Sequence, residues 1–226
     1  MTFRSPLPKG QGLSKEGNPL ASQTYEFTNT YDTVTTVGPP TEEDPSVLRV
    51  NITGEIAEGE EAPFGLTHFE SNTFGQMTSS TTSDDGTLES AEFTFDADPT
   101  AFGLSEDLEQ PYSDRYFGDE TENELFGNAS DSAEFDFVEG TVEGSGETTI
   151  IGGNGIFEDA TGSITFEQQD ELPPVEDTSD PLASLTEPFE GQATLTFSVE
   201  TPGILSTGSS FTSEDLNVSD YLSFAG

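Results

Sequence analysis

The chain has 226 residues, of which 45 are Asp or Glu and only 5 are Lys or Arg, so that its formal net charge is −40. Nucleic acid and anionic membrane surfaces require clustered basic residues, and this composition argues against both as partners. The absence of cysteine excludes disulfides, thiolate metal sites and cysteine nucleophiles. A chain this negative attracts cations and repels its own copies unless ions screen it. We expect weak Ca²⁺ binding by loop carboxylates and no other cofactor.

Residues 1–23 are predicted to form an extended basic arm. Residues 1–20 hold three basic residues and one acidic residue, a net charge of +2, whereas the remaining residues carry −42. This Pro-, Gly- and Ser-rich segment is either a free tail or an arm lying on the acidic body of its own or a neighbouring chain. It lacks the apolar core of a secretory signal, and no apolar run approaches the ~18 residues needed to span a membrane. We therefore expect a soluble protein, at the cell surface, outside the cell or in a high-salt cytoplasm.

Residues 24–202 repeatedly alternate apolar and polar side chains, as in Val47–Ile56, Ser90–Asp96 and Phe189–Glu200, and more briefly in Phe135–Phe137 and Ile164–Phe166. A period of two indicates strands with one buried and one wet face. About eight such strands hide their edges most completely in a closed barrel, which is wide enough to be filled by side chains or to hold one small ligand. The sequence therefore predicts an all-β fold, an eight-stranded antiparallel β-barrel with extended N- and C-terminal segments. The 18 phenylalanines, with no tryptophan, must supply most of its bulky core.

The connections between strands are predicted from glycine, proline and acidic residues. Residues 98–126 and 168–188 are expected to be long irregular segments, which in compact domains are usually functional lids or disordered. The sequence EGSGE at 143–147 is typical of a turn.

One basic residue stands out within the body. The sequence PYSDRYFGD places Arg115 beside Tyr112 and Tyr116. Arg115 could clamp an anionic ligand at the barrel mouth, with aromatic stacking, or form a salt bridge with a nearby acid. Arg115, Tyr112 and Tyr116 are the candidate ligand-binding residues.

Catalytic and metal-binding groups are scarce. His68 is the only histidine and lies among apolar residues, where an ordinary structural role suffices. With 45 acidic residues, no carboxylate pair can be singled out as an acid and base. No catalytic residue and no metal ligand is assigned.

Residues 148–167, TTIIGGNGIFEDATGSITFE, contain a glycine-rich run. A phosphate-binding loop would need a Lys or a following helix, and here a strand pattern follows without a Lys. Glycines that permit positive φ, with Asn154 among them, favour a corner between two strands.

This stretch resembles the signature of dirigent and allene oxide cyclase-like barrels, G-G-T-G-x-F-x-x-A-x-G followed by a strand. Asn154 replaces the Thr, and the matching positions are Gly152, Gly153, Gly155, Phe157, Ala160 and Gly162. The resemblance covers residues 24–202. It implies a calycin-like, allene oxide cyclase-like eight-stranded barrel with an apolar cavity, often oligomeric, in which the motif is a structural turn. It implies no reaction, because members range from cyclases and coupling-directing proteins to barrels without known activity.

Residues 203–226 form a C-terminal tail with too many apolar side chains for a free segment, so it is expected to dock on the barrel or on a partner. The first hypothesis is a non-enzymatic, highly acidic β-barrel protein that acts through self-assembly or surface contacts and associates with cations. Arm and tail would join copies into a homo-oligomer. The alternative is a barrel that binds an apolar small molecule and guides its cyclisation or coupling. A hollow interior favours the alternative, and an interior filled with Phe favours the first.

Overall fold

The computed structural model describes residues 22–105, 110–173, 185 and 187–202. Its nine strands are β1 (Gln23–Pro40), β2 (Val47–Ile56), β3 (His68–Thr82), β4 (Leu88–Asp96), β5 (Asp114–Phe117), β6 (Glu124–Asp136), β7 (Thr141–Asn154), β8 (Thr161–Glu171) and β9 (Phe189–Thr201). Three short 3₁₀ turns occupy Pro63–Gly65, Pro99–Phe102 and Gly155–Phe157. The predicted C-terminal tail lies outside the described residues. So does the predicted arm, apart from Ser22 and from Gln23, which begins β1.

All neighbouring strands are antiparallel, and their pairings close into a ring. The order β2-β1-β9-β8-β7-β6-β4-β3 returns to its start because β3 also pairs with β2. The short strand β5 pairs with β3 and β6 beyond the end of β4, so β4 and β5 successively fill one position of the ring. The prediction of an all-β, antiparallel fold is confirmed. The sheet has nine strands, and its ring has eight strand positions because β4 and β5 share one.

The alternation of side chains separates an inner from an outer face. In β9 every second residue from Ala193 to Thr201 is buried, as its sequence pattern predicts. The inner side chains form two apolar groups. The larger, here called the aromatic cluster, is centred on Tyr31, Tyr116, Phe157 and Phe197, and the second cluster contains Phe93, Phe135, Val142 and Phe189.

Two predicted connections are wrong. Residues 98–126 are not irregular throughout, because they contain β5 and the start of β6. The sequence EGSGE at 143–147 lies inside β7, and the chain turns earlier, at 137–140. Asp136 accepts the backbone N–H groups of Val138 and Glu139 at 2.9 Å and so stabilises that earlier turn.

In β7, Gly146 leaves space for a side chain of the neighbouring strand and does not form a turn. A Cβ on Gly146 would stand 2.3 Å from the Cβ of Asp131 on the neighbouring strand β6. Gly146 therefore allows the Asp131 side chain to lie against β7, inside the ring.

Candidate functional site

A belt of polar side chains interrupts the apolar interior between the two clusters. Along β8, for example, Ile164 and Phe166 belong to the aromatic cluster, Leu172 packs against the second cluster, and polar residues lie between them. This polar belt consists of Thr33 and Thr35 on β1, Thr73 on β3, Asp131 on β6, and Gln168 and Asp170 on β8. Inward polar groups in a strand interior need partners there, since water is excluded.

Asp170 has such partners. Its carboxylate accepts hydrogen bonds from the hydroxyls of Thr33 and Thr35 at 3.3 and 3.2 Å, and from Nε2 of Gln168 at 2.9 and 2.7 Å. Burial raises the pKa of Asp170, and these donors act in the opposite direction.

A second buried carboxylate, Asp114 on β5, lies beside the aromatic cluster and is 3% exposed. It accepts hydrogen bonds of 2.5–3.0 Å from the hydroxyls of Ser71, Ser113, Tyr116 and Thr148. Burial raises the pKa of Asp114 despite these four donors. Burial, followed by the nearby Asp114 charge, also raises the pKa of the Tyr116 hydroxyl, which therefore stays protonated as a donor.

Asp131 differs from both. Its Oδ1 atom is inaccessible to solvent and accepts no hydrogen bond from any residue that the structure describes. Burial, reinforced by the charges of Asp114 and Asp96, raises its pKa to about 7. A carboxyl group whose pKa is raised to about 7 and whose Oδ1 lacks a partner among the described residues marks a candidate functional site.

Asp131 lines a cavity of about 40 Å³ within the ring. The polar residues of its wall are Thr35, Thr73, Asp131, Ser132, Gln168 and Asp170, and the apolar ones include Val50, Phe95, Phe166 and Phe189. Since one water requires ~10–15 Å³ of such volume, the cavity holds a few waters or a small ion. Pockets for drug-sized ligands measure ~300–1,000 Å³, far more than this interior offers.

The three predicted ligand-binding residues do not meet at one site. Tyr116 points into the ring and is 2% exposed. Arg115, the next residue of the strand, points outward, donates hydrogen bonds to the carboxylate of Glu124 and lies 4.2 Å from the ring centre of Phe117. Tyr112 stacks on Phe126 instead, with ring centroids 4.6 Å apart.

His68 belongs to the same outer surface. Its ring stacks on Phe117 at 5.5 Å, and Nδ1 lies 2.8 Å from the hydroxyl of Thr67. These contacts fix the orientation of the imidazole ring.

The glycine-rich motif turns the chain from β7 into β8 beside the aromatic cluster. Gly155 has φ +67°, and a Cβ there would stand 2.4 Å from Oδ1 of Asn123. Phe157 and Ala160 are 0% and 1% exposed and belong to the aromatic cluster. The remaining motif glycines, Gly152, Gly153 and Gly162, lie in the flanking strands.

The outer face carries a row of acidic side chains in cross-strand register. Glu92 on β4 lies opposite Glu134 on β6, which lies opposite Glu143 on β7. The row continues in register through the amides Gln169 and Gln192 to the carboxylate of Asp32. We refer to all six residues, four acids and two amides, as the carboxylate row. All but Asp32 line a surface groove of about 770 Å³.

Sequence reasoning missed Asp131 and the carboxylate row. The signal for Asp131 is its place in the frame Leu125, Gly127, Ala129, Asp131, Ala133, Phe135, where an acid occupies an inward position. The row has no signal in sequence, because strand register brings its members together.

Within the described ranges, no group of three or more His, Asp or Glu side chains is arranged to hold a metal ion. In the same ranges, no helix has the length and apolar character needed to cross a membrane. No protein-family model matches the chain, and a search of curated proteins returns no significant match.

Proposed function

We propose that the protein is a non-enzymatic, highly acidic β-barrel that acts through its outer surface and through self-assembly, in association with cations. The observation that carries this proposal is the carboxylate row. Like charges directly opposite each other on neighbouring strands are destabilising, and Glu92, Glu134 and Glu143 are three in succession. The described part of the chain contains only Arg49 and Arg115 as basic residues, so cations from solution must balance the row.

The filled interior supports a surface function. Aromatic pairs occupy the ring, such as Phe27 stacked on Phe197 at 4.4 Å and Phe93 tilted against Phe135 at 5.0 Å. The cavity of about 40 Å³ beside Asp131 is too small for an apolar substrate unless the interior opens. The protein therefore meets its partners on the outside.

The proposal also includes the finer description of the fold. An eight-stranded, calycin-like barrel of the dirigent and allene oxide cyclase-like kind would contain a closed antiparallel ring and a glycine-rich corner packed against its core. The ring of eight strands and the burial of Phe157 and Ala160 support it.

Asp131 favours a second candidate, a barrel that binds an apolar small molecule and guides its cyclisation or coupling. A carboxyl group with a pKa of about 7 among apolar side chains has the property required of a general acid or base. Saturable binding of an apolar fluorescent probe at one per chain, lost when Phe95 or Phe166 is enlarged to Trp, would support this candidate over the first.

The first proposal is tested by removing one charge from the row and one from outside it. Glu134→Gln relieves two opposed carboxylates, whereas Glu200→Gln, the matched control, faces only Thr24 and Thr161. At low ionic strength Glu134→Gln should raise the free energy of unfolding by about 0.5 kcal/mol more than Glu200→Gln, and the difference should vanish in 1 M salt. Equal effects at every salt concentration would contradict a role for the row in cation association.

Self-assembly is tested by sedimentation of the full chain and of a chain without residues 1–20, each with and without millimolar Ca²⁺. We expect the full chain to form larger species, Ca²⁺ to increase their share, and the shortened chain to shift toward monomer with an unchanged circular dichroism spectrum. Identical sedimentation at several concentrations would contradict assembly through the arm.

A further inference from the structure

Three carboxylates point into the ring, Asp114, Asp131 and Asp170, and they differ in their hydrogen-bond partners. Asp114 and Asp170 each accept hydrogen bonds from several side-chain donors. The Oδ1 atom of Asp131 accepts none from the described residues, although solvent cannot reach it. A carboxylate that is buried without a partner is strongly unfavourable, so this group requires a proton or a positively charged neighbour.

The surroundings of Asp131 increase this requirement. The charged groups that face it are all acidic: Asp96 from β4, Asp114 from β5 and, in the wall of the same cavity, Asp170 from β8. On β7 it lies opposite Gly146, which offers no side chain. Neither Arg49 nor Arg115 lines the cavity. The described residues thus place no cationic side chain in the wall of this cavity.

The cavity has the size and the oxygen atoms for a small ion. Its volume of about 40 Å³ exceeds the ~10–15 Å³ needed for one water, so an ion and one or two waters fit. The hydroxyls of Thr35 and Thr73 and the side-chain amide of Gln168 are part of the same wall. Nε2 of Gln168 donates to Asp170, which leaves its carbonyl oxygen as an acceptor.

We propose that this cavity is a binding site for one monovalent cation of the size of Na⁺ or K⁺, with Asp131 as its anionic ligand and with oxygen atoms of Thr35, Thr73, Gln168 and water completing its shell.

The choice of a monovalent ion follows from the charge available. The Asp170 oxygens already accept hydrogen bonds from three side chains, so Asp131 supplies the carboxylate oxygen that is free to coordinate an ion. Ca²⁺ takes ~6–8 oxygen ligands, commonly from several carboxylates, and no group of three acidic or histidine side chains is suitably arranged in the described ranges. Mg²⁺ keeps several of its waters, for which this volume is too small.

This inference goes beyond the surface function, and the two can be tested apart. Screening of the carboxylate row depends on ionic strength and little on which monovalent cation supplies it. A cavity of fixed size discriminates between cations by radius. Moreover, a proton competes with the cation for Asp131, so the selective effect should be present above pH 7 and absent at pH 5.

The experiment is thermal unfolding in NaCl, KCl and choline chloride at one ionic strength, at pH 8 and pH 5, for three proteins. At pH 8 the unmodified protein should melt about 3 °C higher in NaCl or KCl than in choline chloride, since choline cannot enter the cavity. Asp131→Asn should show no such difference. Glu200→Gln removes the same charge from an exposed position on β9 outside the carboxylate row and should keep it.

Equal melting temperatures of the unmodified protein in all three salts at pH 8 would overturn the proposal, as would a selective effect that survives in Asp131→Asn. A second measurement does not depend on the stability of the variant. Crystals grown in RbCl or TlCl should give an anomalous peak beside Asp131 at pH 8. Density of water alone there would show that a proton compensates Asp131, and it too would overturn the proposal.

Discussion

The aromatic cluster and the polar belt occupy the same ring but contribute to its stability in opposite ways. In the aromatic cluster, Tyr31, Phe157 and Phe197 are each 0% exposed and pack mainly on apolar neighbours. Their contribution comes from removal of apolar surface from water and is independent of pH. In the polar belt, Asp131 and Asp170 lose hydrogen bonds to water. Only Asp170 replaces them with hydrogen bonds from described side chains.

This difference means that the belt contributes less to stability than apolar side chains would. Replacing a buried polar group by an apolar one of similar shape is often neutral or stabilising. Glycines opposite the large inner side chains make room for them in both regions. A Cβ on Gly75 would stand 2.4 Å from the ring of Phe95, and one on Gly191 would stand 1.9 Å from Oδ1 of Asp170.

The largest effect is expected in the aromatic cluster. Phe197→Ala should lower the free energy of unfolding by about 3–5 kcal/mol, because a fully buried aromatic ring is lost and a cavity remains. The loss includes its stacking on Phe27 and its edge contact with Tyr116. Urea unfolding at pH 5 and pH 8 should give the same difference from the unmodified protein. A loss that depends on pH would show that the cluster and the belt are coupled.

The next effect concerns the compensated acid of the belt. Asp170→Ala leaves the hydroxyls of Thr33 and Thr35 and the amide of Gln168 without their acceptor and should destabilise by about 2–3 kcal/mol. Adding Gln168→Leu should recover part of this loss, because it removes the buried donor group. A double variant that is less stable than Asp170→Ala would contradict the assignment of Asp170 as the acceptor of this network.

Asp131→Asn should raise the free energy of unfolding, whereas the two preceding variants lower it. The pKa of Asp131 is raised from 3.8 to about 7, so the folded chain retains a proton that the unfolded chain has already released. Stability of the unmodified protein should therefore fall as the pH rises from about 4 to about 7 and stay lowered above that range. In choline chloride at pH 8 the variant should be more stable by on the order of 2 kcal/mol, and the gain should disappear near pH 4. A gain that is constant over this range would show that Asp131 does not titrate in the folded protein.

Alternation of apolar and polar residues in the sequence identified the apolar parts of each strand. It did not identify the polar belt, where the inward residues are themselves polar. In β8 it gave Ile164 and Phe166, yet the strand continues through Gln168 and Asp170 with the same inward period. In β6 it gave Phe135 but not Asp131, since an acid at an inward position looks like any of 45 acids. The strands were therefore predicted too short, and the interior appeared more apolar than it is.

Register and spacing explain the remaining differences. The prediction of a turn at 143–147 is wrong because the segment is part of β7, where Gly146 makes room for the Asp131 side chain. The alignment of Glu92, Glu134 and Glu143 depends on the pairing of Glu92 with Glu134, 42 residues later in the sequence, which composition cannot supply. The glycine-rich corner was the part of the chain whose local geometry followed most directly from its residues, because Gly155 adopts the positive φ that its type permits.

The smallest effect is expected outside the ring, at the pair formed by Arg115 and Glu124. The side chains are 35% and 20% exposed, and the hydrogen bond from Arg115 lowers the pKa of Glu124. Partly exposed pairs contribute at most about 1 kcal/mol, so Arg115→Gln should destabilise by no more than that in dilute buffer and by nearly nothing in 1 M NaCl. Arg115→Lys is the matched control: it keeps the charge, loses the two-donor contact with Glu124, and should retain most of the salt-dependent part. Urea unfolding at both salt concentrations measures the difference. A salt-independent loss above about 2 kcal/mol would mean that Arg115 contributes mainly by packing its stem and guanidinium on Phe117, where the guanidinium carbon lies 4.2 Å from the ring centre. This outer surface would then stabilise the fold by packing, as the aromatic cluster does.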